Sequence, residues 1–148
     1  MYLCGHGRME IIMKLFPITE NHLYQKAYKK GERAPSRSVC VYVLRDRAAE
    51  KIRKANPMGE YLNRVGISAS KKIGGAVQRN RAKRVVREAY RQIGKEYVIK
   101  RGYLIVIALR TPATVLKMQD VKRDLQYTLK RCDMLLSKEA AEEAADTL

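Results

Sequence analysis

Eight basic residues and a single acidic one, Glu88, fall within the twenty-one residues KKIGGAVQRNRAKRVVREAYR (71–91). On a helical wheel at about 100° per residue, Ala82, Val85, Val86, Ala89, Tyr90 and Ile93 gather into one apolar arc. Arg79, Lys83, Arg84, Arg87 and Arg91 fall beside that arc with Asn80, while Arg81 and Glu88 lie apart on the far side. Guanidinium forks bind phosphates bidentately, so this pattern is suited to recognising a polyanion, RNA above all. A solvated charged face is the blander reading, but such faces ordinarily mix the two signs, and here the stripe has almost no acid.

A second set of candidates is aromatic. Tyr24 and Tyr28 stand one helical turn apart, and Tyr42 lies in a stretch of alternating character. Such rings could stack on unpaired bases, although an i,i+4 aromatic pair more often packs into a core. Other chemistries find little material. Asp46, Asp120, Asp124, Asp133 and Asp146 are scattered rather than clustered as two-metal phosphodiester hydrolysis requires. Gly74-Gly75 lacks the flanking Gly-Lys-Ser/Thr of a phosphate loop and is read as a turn. Cys4, Cys40 and Cys132 lack zinc or disulfide spacing, and His6 and His22 are isolated surface or capping residues. A reducing, cytoplasmic setting is expected.

The charge balance of the whole chain agrees. It has 31 Lys plus Arg against 15 Asp plus Glu, a formal +16 in 148 residues, with a hydrophobic fraction of 46% that suits one globular core. No segment approaches the roughly 18 consecutive apolar residues of a spanning helix, and residues 1–12 contain no convincing secretory signal.

The elements that must hold these residues can be placed from pattern. A helix is expected from Thr19, capped by Thr19 or Asn21 and ended by Gly31, with Leu23 and Ala27 on one face. Residues 37–44 alternate as a strand, with Val39, Val41 and Val43 opposite Cys40, Tyr42 and Leu44. Arg45 to Tyr61 is a long excursion holding a helix-compatible AAEKIRKA and an Asn-Pro break. Alternation resumes from Leu62 to Ser70. The basic helix is expected to end near Ile93 and Gly94, followed by a doubly buried strand, YLIVIAL (103–109). A last helix carries Val121, Leu125, Leu129, Cys132 and Leu136. The reading is an N-terminal extension (1–15), one domain (16–136) and an acidic, Ala-rich tail (137–148).

The block RVGISASKKIGGAVQRNRAKRVVREAYR (64–91) closely resembles the protein component of bacterial ribonuclease P, which removes the 5′ leader from precursor tRNA. The family's strand ending in Ser-Lys-Lys, its Gly-x-Ala-Val step and its Arg-Asn-Arg and Lys-Arg pairs correspond to Ser70, Lys71, Lys72, Gly74, Ala76, Val77, Arg79, Asn80, Arg81, Lys83, Arg84 and Arg87. The resemblance runs from about Phe16 to Leu136. It implies an α+β two-layer sandwich, a four-stranded sheet in the order α-β-β-β-α-β-α, with a left-handed crossover between parallel strands.

The resemblance further implies that Lys71, Lys72, Arg79, Asn80, Arg81, Lys83, Arg84, Arg87 and Arg91 bind ribonuclease P RNA. Tyr24, Tyr28 and Tyr42 would hold the leader of precursor tRNA, with Tyr at 24 and 28 where the family more often has Phe. Catalytic Mg²⁺ is expected mainly at the RNA active site, making this chain the non-catalytic subunit of an enzyme. The competing reading is a structural RNA-binding protein or RNA chaperone of the ribosomal type.

Overall fold

The computed structural model describes residues 16–55 and 63–136. The elements are β1 (Phe16–Pro17), α1 (Asn21–Lys30), β2 (Glu32–Pro35), β3 (Val39–Arg45), α2 (Ala49–Ala55), β4 (Arg64–Ser68), α3 (Ala76–Glu96), β5 (Val98–Ile99), β6 (Tyr103–Leu109), α4 (Met118–Arg131) and β7 (Leu135–Leu136). Single 3₁₀ turns at Lys71–Ile73 and Thr111–Thr114 precede α3 and α4. The expected α-β-β-β-α-β-α order is present, with α2 interposed in the excursion after β3. The terminal segments 1–15 and 137–148, with His6 and Cys4, lie outside the described residues.

Four strands form the body of the sheet and the two-residue β1 extends one edge, in the order β1-β4-β6-β3-β2; β5 and β7 pair separately. β6 lies at the centre, parallel to β4 and antiparallel to β3. Its side chains from Leu104 to Ile107 are buried on both faces, as its unbroken apolar run requires. On one face Val41, Val65, Ile105 and Ile107 meet Val86, Ala89 and Ile93 of α3 and Val121, Leu125 and Leu129 of α4. The opposite face is smaller, with Leu104 and Val106 under Leu23 and Ala27 of α1. Buried Ser38 donates to Asp124 Oδ2 at 2.5 Å, pinning α4 to the start of β3.

The hand of the β4–α3–β6 crossover follows from one residue. Val65 turns its side chain toward α3, and its carbonyl accepts from Ile18 N on the β1 side. With β4 running upward and an L side chain toward the viewer, the residue's own N–H and C=O point right. β1 therefore lies to the right of β4 and β6 to the left, so a chain passing in front through α3 returns leftward. The crossover is left-handed, against the right-handed rule that governs nearly all such units.

Several boundaries differ from the sequence expectation. Glu20, rather than Thr19 or Asn21, occupies the N-cap position of α1, and no side chain caps it. α3 runs to Glu96, past Gly94, whose missing side chain faces open space. Cys132 is the C-cap of α4 rather than a helical residue, and Leu136 belongs to β7. β2 supplies the third strand that the resemblance implies before the basic helix, at residues where the side-chain pattern places none.

Candidate nucleic-acid interface

α3 begins at a junction built by Gly74, Gly75 and Gln78. Gly74 has φ 153°, a conformation L side chains rarely adopt, and a Cβ there would collide with the Gln78 amide. That amide returns to accept from Gly75 N at 2.9 Å, satisfying an otherwise free N–H of the first turn. Ser70 Oγ accepts from Lys72 N at 3.3 Å, fixing the turn that presents Lys71 and Lys72 to solvent.

From that junction the stripe runs along α3 as the wheel predicts, its apolar arc docked on the sheet. Asn80, Arg84 and Arg87 are exposed, and Arg79 and Lys83 are half-buried at its rim. Arg79 Nε is buried and has no hydrogen-bond partner among the described residues, an unmet donor of the kind that marks a functional position or an ordered water. Val77, 80% exposed, adds an apolar surface at the start of the helix. Two of the candidate residues are engaged elsewhere. Arg81 points away from the stripe and donates to the Thr114 carbonyl at 2.7 Å, so its first partner is the fold. Arg91 pairs with Glu88 at 3.4 Å, an exposed contact worth little.

The tyrosines come together on the other face of the sheet. Tyr28 and Tyr42 meet edge to face, with ring centroids 4.9 Å apart and planes at 82°. Tyr24 lies over Gly66, where a Cβ would stand only 2.5 Å from its hydroxyl oxygen. The register places Gly66, Val106, Tyr42 and Arg33 in one row across β4, β6, β3 and β2. Burial, then proximity to Tyr28, raises the Tyr24 pKa; burial, then a hydrogen bond with Cys40, raises that of Tyr42. Both phenols therefore stay neutral near pH 7, and no phenolate opposes a phosphate.

Arg33 escaped sequence reasoning because β2 did. Its Nε donates to Cys40 Sγ at 3.4 Å, holding the guanidinium beside Tyr42 on the open edge of the face. The only available signal was the short interval between Gly31 and the strand at 37–44, which leaves room for a hairpin. His22 is exposed and within 3.1 Å of Glu20, a surface residue as expected.

A family model described as Ribonuclease P matches residues 13–133. The chain belongs to the ribonuclease P protein family. It is 33% identical over 117 residues to the ribonuclease P protein component of Macrococcus caseolyticus, covering 79% of this chain and 90% of that protein. It is 32% identical over 111 residues to that of Clostridioides difficile, covering 75% and 86%. Among solved structures, a Staphylococcus aureus RNase P protein superposes with TM-score 0.64 at 28% identity, over 83% of this chain and all of that one. The Thermotoga maritima protein shares the fold at TM-score 0.61 and 24% identity, over 77% and 97%.

Membership makes this chain the protein component of bacterial ribonuclease P, a subunit of a ribonucleoprotein endoribonuclease of tRNA processing, with ribonuclease P RNA as its partner. The ribosomal-type chaperone reading is set aside by it. No helix among the described residues is long and apolar enough to cross a membrane.

Proposed function

We propose that the α3 stripe, with Lys71 and Lys72, binds the catalytic RNA, and that the tyrosine face holds the 5′ leader of precursor tRNA. The observation that carries this is the shared junction of the two surfaces. β4 supplies the tyrosine face with Gly66 and then, after Ser68, turns through Lys71 and Lys72 into α3. One continuous segment thus joins a phosphate-binding helix to a base-stacking floor.

In this reading the cations lower the repulsion between two RNAs, and each neutralised phosphate adds to the salt dependence of assembly. Tyr24, Tyr28 and Tyr42 offer rings for unpaired leader bases, at about 1–3 kcal/mol per stacked base. Affinity for the leader is present in the precursor and absent once the leader departs, so it discriminates substrate from product.

Among the described residues, no three of His, Cys, Asp and Glu come close enough to hold a metal ion. Asp46 is held by Arg64 and Asp124 by Ser38. We assign the Mg²⁺ of the reaction to the RNA subunit and the setting to the cytoplasm. Reconstitution with the ribonuclease P RNA of the same organism tests the whole reading. The chain should lower the Mg²⁺ or salt needed for leader removal, and absence of any stimulation would overturn it.

A further inference from the structure

A second cationic surface lies on α4. On a wheel at about 100° per residue, Lys122, Gln126, Gln119, Lys130, Arg123 and Tyr127 form one solvent-facing arc, and Asp120 and Asp124 fall outside it. These six residues line an open groove of about 440 Å³. The groove is lined by α4 alone and shares no residue with the α3 stripe already described.

The groove is held in shape by its neighbours. Gln126 Nε2 donates to the Tyr97 hydroxyl at 2.8 Å, and the Lys130 ammonium lies 5.1 Å from the centroid of the Tyr97 ring. Lys122 bonds Glu96. Tyr127 is 54% exposed, with Arg131 Nη1 3.4 Å from its hydroxyl. Arg123, one turn before Tyr127, makes no ion pair among the described residues. An open ring set among cations suits an unpaired base flanked by phosphates, and the ring distinguishes this chemistry from that of a merely basic patch.

Resting on the assignment of α3 to the catalytic RNA, we propose that the α4 groove binds a single-stranded segment of that same RNA. One base stacks on Tyr127, and adjacent phosphates meet Arg123 and Lys130. The source is the catalytic RNA rather than the leader because α3 and α4 cover the same face of the sheet, and the tyrosine face lies opposite.

The test measures affinity of the full chain for ribonuclease P RNA across a salt series, with Tyr127→Ala, Tyr127→Phe and the pair Arg123→Gln/Lys130→Gln. Tyr127→Ala should weaken binding about fivefold or more, and Tyr127→Phe should retain it. The paired variant should reduce the salt slope by about 1 to 2. Circular dichroism would verify that these surface variants remain folded. Wild-type affinity and slope in both Tyr127→Ala and the paired variant would overturn the proposal, as would a loss confined to precursor tRNA binding by the holoenzyme. Arg79→Ala/Arg84→Ala/Arg87→Ala, measured alongside, separates the two readings: if it alone weakens binding, only the α4 proposal fails, and if it too binds as wild type, the α3 assignment fails.

Discussion

Gly66→Ala isolates the tyrosine face from the rest of the molecule. The added Cβ would stand 2.5 Å from the Tyr24 hydroxyl oxygen and 2.6 Å from Cε1 and Cζ, where carbon atoms ordinarily rest about 3.5–4.0 Å apart. The end of the ring must therefore swing by about 1 Å or more. The strand itself tolerates the change, since Ala costs less backbone entropy than Gly by about 0.5–1 kcal/mol, which offsets part of the overpacking. Displacement of one stacking ring should cost about 1–3 kcal/mol of leader binding, or roughly 5- to 150-fold in affinity. The assay is binding of precursor and mature tRNA to the reconstituted holoenzyme. Gly66→Ala should weaken precursor binding within that range and leave mature tRNA within about twofold. In a Tyr24→Ala background the same substitution should do almost nothing, because the ring it displaces is gone. Equal losses on both tRNAs, or an undiminished effect without the ring, would refute the reasoning.

Arg79→Ala/Arg84→Ala/Arg87→Ala should weaken binding of ribonuclease P RNA and lower the salt slope by about 2 to 3; an unchanged slope would place the phosphate contacts elsewhere. The Asp46 side chain is 2% exposed and accepts from Arg64 Nε at 2.7 Å and Nη2 at 2.8 Å, so Asp46→Asn should cost about 3 kcal/mol in denaturant unfolding by removing the counter-charge and one acceptor of Arg64. A loss below about 1 kcal/mol would mean that water replaces the carboxylate. Burial pushes the Tyr90 pKa up to about 12, opposed by a hydrogen bond with Asn63. A raised folded-state pKa gives stability that is present below pH 10 and lost as pH rises toward 12. Relative to Tyr90→Phe, the wild type should thus lose about 2–3 kcal/mol over that interval, and parallel pH curves would count against it.

The helices and central strands were legible because their side-chain periods are strong: α3 and β6 are each nearly dictated by where their apolar residues fall. β2 was not, since Glu32-Arg33-Ala34-Pro35 has neither β-branched residues nor alternation, and its Pro is tolerated only because the strand is an edge. Missing β2 meant missing Arg33. Gly94 suggests a helix end because Gly is a poor helix former, but the helix is held beyond it by the Tyr97 N–H bonded to the Ile93 carbonyl and by Glu96 bonded to Lys122. The wheel correctly put Arg81 away from the stripe, and only the three-dimensional structure supplied its Thr114 partner. The approach of Tyr24 to Gly66 depends on α1 lying across β4, which no local pattern encodes.

The left-handed crossover ties these observations together. In a right-handed unit with α3 on the same face, β6 would lie on the other side of β4, in the place that β1 now occupies. β1 would then have to pair along the opposite edge of β4, and the Ile18 N–H, which bonds the Val65 carbonyl on the present edge, would lose that anchor. Ile18 is buried with Leu23, Ala27, Leu104 and Val106, so its position fixes how α1 enters the tyrosine face. The hand of the crossover therefore sets both the course of the basic helix and the seating of Tyr24 and Tyr28. Removing the buried Ile18 side chain should loosen the tyrosine face while leaving α3 docked, because α3 draws its burial from the opposite side of the sheet. Hydrogen exchange on an Ile18→Ala variant would reveal this as faster exchange in α1 than in α3, and uniform acceleration of both helices would show that the two faces unfold as one unit.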